Sequence, residues 1–390
     1  MMPEEFNDIR PYLPEELPHV FEQLMADEQF MGAAAKVMPD VRERMGAFLM
    51  AHQGVPFTNL DVQKAFFYPL VQHIIATCTT GIDLTVPDNT DRQQPHTFIT
   101  NHRDIVLDSA FLSFLLVENQ FPTTVEIAIG DNLLIFPWIK KLVRINKSFI
   151  VQRSLSMREM LRASQTMSRY MHYAIDQKHE NIWIAQREGR AKDSDDRTQD
   201  SLLKMMAMGG EGTVIERLHQ LHLMPMALSY EYDPCDFLKA KEFQQRRDIV
   251  DFRKSKDDDL QSMQTGIFGH KGHIHFEAAP CINEWLDTID PATPKTELIP
   301  LIARHIDHEI HRNYRLYPGN LVAADALDGG NRSTAEQRST FEAYIQQRIA
   351  LAAKALEAEG MRPDPTFLCE RILTMYANPV FNLERVKSEE

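Results

Sequence analysis

The stretch Phe98-Ile-Thr-Asn-His102-Arg-Asp104-Ile-Val-Leu-Asp108-Ser joins a short apolar run to a polar cluster, and a second apolar segment, Ala110 to Val117, follows it. The first run has the length of a buried strand, and the second has the periodicity of a helix. A histidine beside a carboxylate can act as an oriented general base, because the acid fixes the imidazole tautomer and supports its positive charge. The stretch therefore predicts a strand-to-helix turn that carries His102 with Asp104 or Asp108.

Further apolar runs alternate with segments of helical periodicity on the C-terminal side of this turn. They have the length of buried strands and lie at 125–129, 148–151, 181–185, 223–229 and 273–276. Strands that alternate with helices form a largely parallel sheet. We therefore predict the α/β class, with a mostly parallel central sheet flanked by helices and helical N- and C-terminal additions. The predicted regions are a helical N-terminal region packed on the core (1–85), an α/β domain (86–282) and a helical C-terminal region (283–390).

Polar clusters follow three of the predicted strands directly. They are Asn101 to Asp104, Gln152 with Arg153, and Gln186 to Arg190. Ligands of parallel α/β sheets bind beyond the carboxyl ends of the strands. If the three strands are parallel, a base, several cations and a carboxylate meet at one edge of the sheet.

A local basic island spans Pro137 to Arg153, which holds five basic residues and no acidic one. The basic residues are Lys140, Lys141, Arg144, Lys147 and Arg153. In a chain whose formal net charge is −14, such an island suits either a phosphate-bearing substrate or a membrane surface.

The overall composition excludes several other classes of protein. A net charge of −14 argues against general nucleic-acid binding, which needs a positive field. The four cysteines form no C-x-x-C pair, so neither a zinc site nor a disulfide framework is indicated and a cytoplasmic protein is expected. The charge-free run Ala65 to Ile82 is too polar for a membrane span and is predicted as a core helix rather than an interfacial one. Asp193, Asp195 and Asp196 are expected to be solvated loop charges.

The order and spacing of the polar clusters resemble the glycerolipid acyltransferase family, which includes the glycerol-3-phosphate and lysophosphatidate acyltransferases. The family has a His–Asp motif after a strand, a glycine-and-phenylalanine block ending in arginine, a Glu-Gly block and a strand with a central proline. The matching residues are His102 and Asp108, Phe149 and Arg153, Glu188 and Gly189, and Pro225. The spacing from His102 to Asp108 is one residue longer than in the family, so Asp104 is an alternative to Asp108. Together the blocks, over roughly residues 95–232, are similar to a divergent bacterial branch.

The resemblance implies an acyltransferase in which His102 removes the proton of an acceptor hydroxyl, which then attacks an acyl thioester. The aspartate would orient the imidazole, and no metal or organic cofactor is implied. The residues that the resemblance places around the substrate are Arg103, Lys147, Phe149, Arg153, Arg187, Glu188, Gly189, Arg190 and Pro225.

Several properties of such an enzyme stay open at the level of the sequence. The donor is acyl carrier protein or coenzyme A, and the acceptor is glycerol 3-phosphate, a lysophospholipid or a related lyso-lipid. We expect peripheral contact with the inner face of the membrane. The alternatives are a catalytically altered homologue that binds lipid or acyl carrier, and an acyl-thioester hydrolase that uses the same base.

Overall fold

A seven-stranded sheet forms the centre of the computed structural model, which describes residues 2–153 and 155–389. The strands are β1 (Gly81–Thr85), β2 (Thr97–Thr100), β3 (Val125–Gly130), β4 (Ser148–Val151), β5 (Asn181–Ala185), β6 (Leu223–Tyr230) and β7 (His273–Ala278). Their order across the sheet is β1-β7-β6-β2-β5-β3-β4.

Five of these strands run in the same direction. β2 is parallel to both of its neighbours, and its first residue, Thr97, lies opposite Ile182 of β5 and Leu223 of β6. β3 and β4 continue the parallel arrangement, whereas β7 is antiparallel to β6 and β1 is parallel to β7. The carboxyl ends of β2, β3, β4, β5 and β6 therefore share one edge of the sheet, which we call the carboxyl edge.

Helices cover both faces of the sheet and build both ends of the chain. They are α1 (Leu17–Ala26), α2 (Glu28–Ala35), α3 (Val41–Ala51), α4 (Asn59–Val62), α5 (Tyr68–Cys78), α6 (Leu107–Glu118), α7 (Pro137–Ile145), α8 (Met157–Asp176), α9 (Asp200–Met206), α10 (Val214–His219), α11 (Asp236–Asp248), α12 (Lys256–Phe268), α13 (Asn283–Leu286), α14 (Lys295–Arg312), α15 (Pro318–Asp328), α16 (Ala335–Ala358) and α17 (Pro365–Glu389). Short 3₁₀ segments lie at Glu4–Phe6 and Asp131–Leu133, and a π-helical turn lies at Gln63–Phe67.

The alternation of side chains along each strand creates two cores, one on each face of the sheet. On one face, α8, α9 and α14 pack around Ile99 and Phe149. On the other face, α5 and α6 pack around Phe98, Phe111 and Phe276. This arrangement fixes the start of α6, and with it Asp108, against the end of β2.

Two further apolar clusters belong to the terminal helices. The N-terminal helices pack around Phe21 and Phe57 and reach α7 through Ile145. The C-terminal helices α15, α16 and α17 pack with α11 around Phe341 and Tyr376. Both ends of the chain thus carry the helical additions that the sequence predicts.

The predicted α/β class and its mostly parallel sheet are confirmed, and the predicted runs coincide with β2 to β7. The strand β1 was missed because it follows α5 within one apolar run, and the sheet consequently begins at Gly81, before the predicted boundary at residue 86. The antiparallel direction of β7 was also missed, since no apolar pattern encodes strand direction. For α8, the sequence indicates a cap at residues 154–156; Ser154 lies outside the described residues, and Ser156 forms a capping box with Glu159.

None of the helices in the described part of the chain combines the length and the hydropathy that are needed to cross a membrane. The apolar run Ala65 to Ile82 contains α5, which buries Val71, Ile74 and Cys78 against the sheet. Its prediction as a core helix is confirmed.

Candidate active site

His102 and Asp108 form a hydrogen-bonded pair at the carboxyl edge of the sheet. The Nδ1 atom of His102 lies 2.7 Å from Oδ2 of Asp108. His102 follows β2 directly, and Asp108 lies in the first turn of α6. Asp108 is completely buried, whereas the side chain of His102 keeps a small exposed fraction. This is the arrangement of a histidine base that is oriented by a carboxylate.

Three other groups hold the Asp108 carboxylate. The backbone N–H of Arg103 donates to Oδ2 at 2.7 Å, and the backbone N–H of Asp104 donates at 3.1 Å. The hydroxyl group of Tyr230 donates to Oδ1 at 2.8 Å. A buried carboxylate with this set of donors remains fixed in position, so it can hold the imidazole in one tautomer and one orientation.

The second ring nitrogen of His102, Nε2, has no hydrogen-bond partner among the described residues. The ring of Trp183 lies edge-on to the imidazole, with 5.4 Å between the ring centroids. Trp183 comes from β5, the neighbour of β2. One nitrogen of the imidazole is therefore engaged by Asp108 and the other is available to a substrate.

Asp104 has a different task from Asp108. Its Oδ1 atom accepts hydrogen bonds from the backbone N–H groups of Val106 and Leu107, at 2.9 and 2.8 Å, so it closes the turn that leads into α6. That turn accommodates the extra residue between His102 and Asp108. Burial and the neighbouring Asp108 charge raise the pKa of Asp104.

A glycine of α12 lies directly against Asp104. A Cβ atom at Gly266 would come within 1.9 Å of Oδ2 of Asp104. No side chain fits in this gap, because the nearest atom belongs to a carboxylate held by the turn. Helix α12 thus packs directly against the turn that follows His102, on the side of Asp104.

Arg103 is part of the framework rather than of the open site, in contrast to its predicted contact with substrate. Its guanidinium makes a bidentate ion pair with Asp196, with nitrogen–oxygen distances of 3.0 and 2.6 Å, and both side chains are buried. The expectation that Asp196 is a solvated charge was wrong, because Tyr314 also donates to it at 2.5 Å. The pair fastens the turn after β2 to the loop after β5.

Helix α14 holds the same loop at further points. The Nε2 atom of His311 bonds to the backbone oxygen of Asp196 at 2.8 Å. The backbone and side chain of Thr198 both donate to Asp307 of α14, at 2.7 and 2.6 Å. The loop that carries Arg187 to Arg190 is therefore anchored at its far end by α14.

Lys147 and Phe149 lie away from the site that the sequence predicts for them. Lys147 precedes the first residue of β4, at the opposite edge of the sheet, where its buried Nζ donates to Thr123 at 2.7 Å and to Glu180 at 2.6 Å. Phe149 is buried in the core against Tyr170. Both predictions of a substrate contact are therefore corrected. Lys147 lies before the start of β4 and Phe149 lies within it, whereas the carboxyl edge is at the other end of this four-residue strand.

Arg153 and Glu188 meet at the carboxyl edge. Arg153 follows β4 and Glu188 follows β5, and their side chains form an ion pair at 3.2 Å. Both side chains are accessible, in contrast to the pair of Arg103. Gly189 has a φ of 66°, so a residue without a Cβ lets the chain turn between Glu188 and Arg190.

The other cations of this loop keep unused donors. Arg187 and Arg190 are half-buried, and Nε of Arg187 and Nη1 of Arg190 are enclosed without a hydrogen-bond partner in the described structure. The side-chain amide of Gln186 is completely buried, and both of its polar atoms also lack a partner there. Enclosed donors of this kind are suited to an anionic ligand or to water.

Pro225 lies in the middle of β6, opposite Ile99 of β2. Its backbone oxygen accepts a hydrogen bond from Ala279 at 2.8 Å. It is buried within the sheet, so it shapes the strand from below the site and does not line the open part of the site.

Sequence reasoning missed Tyr230 as a member of the site. It extends the predicted strand 223–229 by one residue, on the same face as Met224, Met226 and Leu228. The alternation of side chains along the strand could have identified it, because this alternation places Tyr230 on the face against which α6 packs.

Within residues 2–153 and 155–389, no group of three histidine, cysteine, aspartate or glutamate side chains is placed to hold a metal ion. The paired histidines of β7, His273 and His275, instead contact Asp83, and His275 also contacts Glu277.

Comparison with known proteins finds a matching family model and similar solved structures. Residues 81–229, from the first residue of β1 into β6, match the family model described as Acyltransferase. The chain is also similar to the crystal structure of the 1-acyl-sn-glycerophosphate (LPA) acyltransferase PlsC from Thermotoga maritima, with a TM-score of 0.36 and 10% sequence identity. That match covers 76% of this chain and 97% of that chain. No curated protein matches the sequence.

Proposed function

We propose that the chain transfers a fatty acyl group from a thioester to a hydroxyl group of a lyso-lipid or of glycerol 3-phosphate. The match of residues 81–229 to the family model described as Acyltransferase supports this class of reaction. The observation that carries the proposal is the pair of His102 and Asp108 at the carboxyl edge, with Nδ1 2.7 Å from Oδ2.

His102 acts as the general base in this reaction. Its Nε2 atom takes the proton of the acceptor hydroxyl, and the hydroxyl oxygen forms a bond to the carbonyl carbon of the thioester. When the resulting tetrahedral intermediate collapses, the carbon–sulfur bond breaks and the imidazolium returns the proton to the thiolate. The products are an ester and a free thiol, and the enzyme is regenerated.

Asp108 stabilises the imidazolium that forms during this step. Its carboxylate accepts from His102, from two backbone N–H groups and from Tyr230, so it needs no rearrangement when the charge develops. A preorganised carboxylate contributes more than a mobile one, because no reorganisation opposes the transition state.

The acceptor's anionic group binds to the cations of the carboxyl edge. Arg153, Arg187 and Arg190 follow β4 and β5, and the enclosed donors of Arg187 and Arg190 are free to bind phosphate oxygens. A planar guanidinium suits such oxygens because it can donate two parallel hydrogen bonds. Glu188 pairs with Arg153 and would hold it towards the acceptor.

The donor is an acyl thioester of acyl carrier protein or of coenzyme A, and the reaction takes place on the cytoplasmic side of the membrane. Both donors present the same thioester to His102. The residues around the site support an anionic acceptor more directly than they support either donor. The unpaired donors of Arg187 and Arg190 can bind an anionic group that lies near the reacting hydroxyl.

A product assay tests this function. The purified chain is given an acyl thioester with glycerol 3-phosphate, lysophosphatidate or an uncharged lyso-lipid, and both acylated acceptor and free thiol are measured. We expect acylation of the phosphorylated acceptors, and a loss of about three orders of magnitude in kcat for His102→Ala. His73→Ala, at an exposed histidine of α5, is the matched control and should keep full activity.

Two outcomes would contradict the proposal. Release of thiol without acylated acceptor would identify a thioester hydrolase. Absence of turnover with all acceptors, together with lipid binding that His102→Ala retains, would identify a lipid-binding protein that has lost the reaction.

A further inference from the structure

A cavity of about 450 Å³ lies at the edge of the sheet where β2 to β6 begin, opposite the carboxyl edge. Because β7 is antiparallel to β6, the residues that follow β7 lie beside the start of β6. The backbone N–H of Ala279 donates to Pro225 at 2.8 Å, and that of Ile282 donates to Leu223 at 2.9 Å. The cavity is enclosed by these residues, by the loop after β1 and by α13 and α14. Its volume is that of a site for a small organic ligand.

Trp285 of α13 and His305 of α14 form a flat pair of rings in the wall of this cavity, which we call the ring pair. The two rings are nearly parallel, with 5° between their planes and 3.7 Å between their centroids. Burial, with His308 and Arg312 nearby, lowers the pKa of His305 to about 4, so its imidazole is uncharged at neutral pH. The faces of uncharged aromatic rings attract a cation. The ring pair therefore offers a platform for positive charge.

Three glutamates share the cavity with the ring pair, and two of them keep an unengaged oxygen. Glu309 of α14 is only 9% exposed; its Oε1 atom lies 3.4 Å from Arg312, and its Oε2 atom has no partner among the described residues. Glu277 of β7 accepts from His275 through Oε2 at 2.9 Å and leaves Oε1 without a described partner. Glu284 of α13 is exposed and makes no ion pair with another described residue. A buried carboxylate oxygen needs a donor, which a ligand or water supplies.

The lining of the cavity determines the charge of the ligand that fits it. The three carboxylates face a single guanidinium, that of Arg312, which already contacts Glu309. An anionic ligand would be repelled by the carboxylates, and a wholly apolar ligand would leave them without donors. The remaining wall includes Val86, Pro87 and Ala278, whose apolar side chains suit a carbon skeleton rather than a hydrated metal ion. Positive charge on an organic body matches both parts of the lining.

We propose that this cavity is a binding site for an organic cation, whose ammonium group lies on the ring pair and donates to Glu309 and Glu277. Hydrogen bonds from an ammonium group to carboxylates are charge-assisted, and the aromatic faces add a cation–π attraction. The carbon skeleton of the ligand contacts the apolar wall. This site is separate from the proposed acyl transfer, because the cavity and His102 lie at opposite edges of the sheet.

Isothermal titration calorimetry of the full chain with three probes tests the site. Benzylammonium, benzyl alcohol and phenylacetate share one aromatic skeleton and carry a positive charge, no charge and a negative charge. We expect saturable, one-to-one binding of benzylammonium. Benzyl alcohol should bind at least about tenfold more weakly, because it lacks the charge that the carboxylates and the rings attract. Phenylacetate should not bind.

Substitutions in the wall locate the bound cation. Trp285→Ala removes an aromatic face, and Glu309→Gln removes a buried negative charge, so each should weaken binding of benzylammonium by about tenfold. Glu284→Gln changes an exposed residue of the same wall and should weaken binding several-fold without a loss of stability. It keeps the test decisive if a variant at a more buried position fails to fold, which circular dichroism and thermal unfolding would detect.

Matched controls come from residues that do not line the cavity. Glu297→Gln removes an exposed carboxylate from the first turn of α14. Phe268→Ala removes an aromatic ring that is 57% exposed at the end of α12. Both variants should bind benzylammonium like the original chain, so a loss of binding in the cavity variants reports on the cavity.

Four outcomes would overturn the proposal. They are no saturable binding of benzylammonium, equal binding of the three probes, preferred binding of phenylacetate, and binding of benzylammonium that all of the cavity variants retain. Competition between benzylammonium and the acyl acceptor would also overturn it, because it would place the cation at the carboxyl edge. Binding of benzylammonium by a chain that transfers no acyl group would contradict the proposed function and leave this site standing.

Discussion

The phenol of Tyr230 and the carboxylate of Asp108 are joined by a buried hydrogen bond of 2.8 Å between the end of β6 and the first turn of α6. The same carboxylate contacts His102 through its other oxygen. Burial and the charge of Asp108 raise the pKa of Tyr230 well above its usual value, so the phenol stays protonated and remains a donor. The orientation of the candidate base thus depends on a residue from a neighbouring strand.

Tyr230→Phe removes this donor and leaves the aromatic ring in place. We expect kcat for acyl transfer to fall by roughly tenfold, since a hydrogen bond to a charged group is worth about 1.5–3 kcal/mol and only part of it is realised in the transition state. The measurement is steady-state kinetics with saturating donor. Tyr232→Phe, two residues further along and half-buried, is the control. An unchanged kcat in Tyr230→Phe would show that Asp108 needs no phenol.

Asp108→Asn and Asp104→Asn should differ sharply. The Asp108 variant presents an amide to Nδ1 of His102, which favours the wrong tautomer, and kcat should fall by about 10³- to 10⁴-fold. The amide oxygen of the Asp104 variant can still accept from Val106 and Leu107, so activity should stay within about tenfold of the original.

Asp104→Ala completes this comparison. It removes the acceptor of the Val106 and Leu107 N–H groups in the turn before α6 and should lower the free energy of unfolding by about 1 kcal/mol, as measured by urea denaturation. If Asp104→Asn lost more activity than Asp108→Asn, the roles that we give to the two acids would be reversed.

Arg103→Met should act on stability, whereas Arg187→Met should act on the acceptor. Removing one partner of a buried ion pair leaves Asp196 uncompensated, so the free energy of unfolding should fall by roughly 3–5 kcal/mol. Arg187 has no ion pair among the described residues, and its replacement should raise KM for a phosphorylated acceptor several-fold at unchanged stability. Urea denaturation and acceptor titrations separate the two effects. A raised acceptor KM in a fully stable Arg103→Met would restore Arg103 as a substrate contact.

Asp307 gives the stability a defined pH dependence. Burial raises the pKa of Asp307 to about 6, so the folded chain holds a proton that the unfolded chain has lost. The stability contributed by this group is therefore present below about pH 4 and is lost as the pH rises through 6. Asp307→Asn keeps an acceptor for Thr198 and removes the charge. Relative to the original chain, it should gain up to about 3 kcal/mol between pH 4 and pH 7.5.

Unfolding by urea at the two pH values provides this measurement. Asp88→Asn, at an exposed loop carboxylate, is the control and should show no such gain. Parallel pH profiles for the original chain and Asp307→Asn would mean that the carboxyl group of Asp307 titrates normally in the folded chain.

The sequence predicts which polar clusters meet at the carboxyl edge, because local patterns encode the strands that precede them. The apolar runs ending at Thr100, Val151 and Ala185 have the length of strands, and the polar residues that follow them share the carboxyl edge once the strands are parallel. Arg153 and Glu188 meet there as a result. The sequence could not indicate whether Asp104 or Asp108 contacts His102. The structure places Asp108 against the imidazole, because the turn between them is folded by backbone hydrogen bonds to Asp104.

Contacts between distant parts of the chain could not be predicted in this way. The family resemblance placed Arg103 at the substrate. Its actual partner, Asp196, lies 93 residues away, and no local pattern in the sequence connects the two residues. Lys147 looked like part of a basic island, yet it lies directly before the first residue of β4, at the end of the strand away from the carboxyl edge, and forms an ion pair with Glu180 there. Such pairs follow from tertiary packing, which periodicity does not record.

The anchoring of the loop after β5 by α14 also means that the stretch matched by the family model is not structurally independent of the rest of the chain. Asp307, His311 and Tyr314 hold Thr198 and Asp196 from beyond residue 229, where the family match ends. A chimera that carries only the matched stretch would inherit the histidine and its aspartate but would lose the fastening of the arginine loop. The helical C-terminal region is therefore part of the framework that positions the arginine loop at the carboxyl edge.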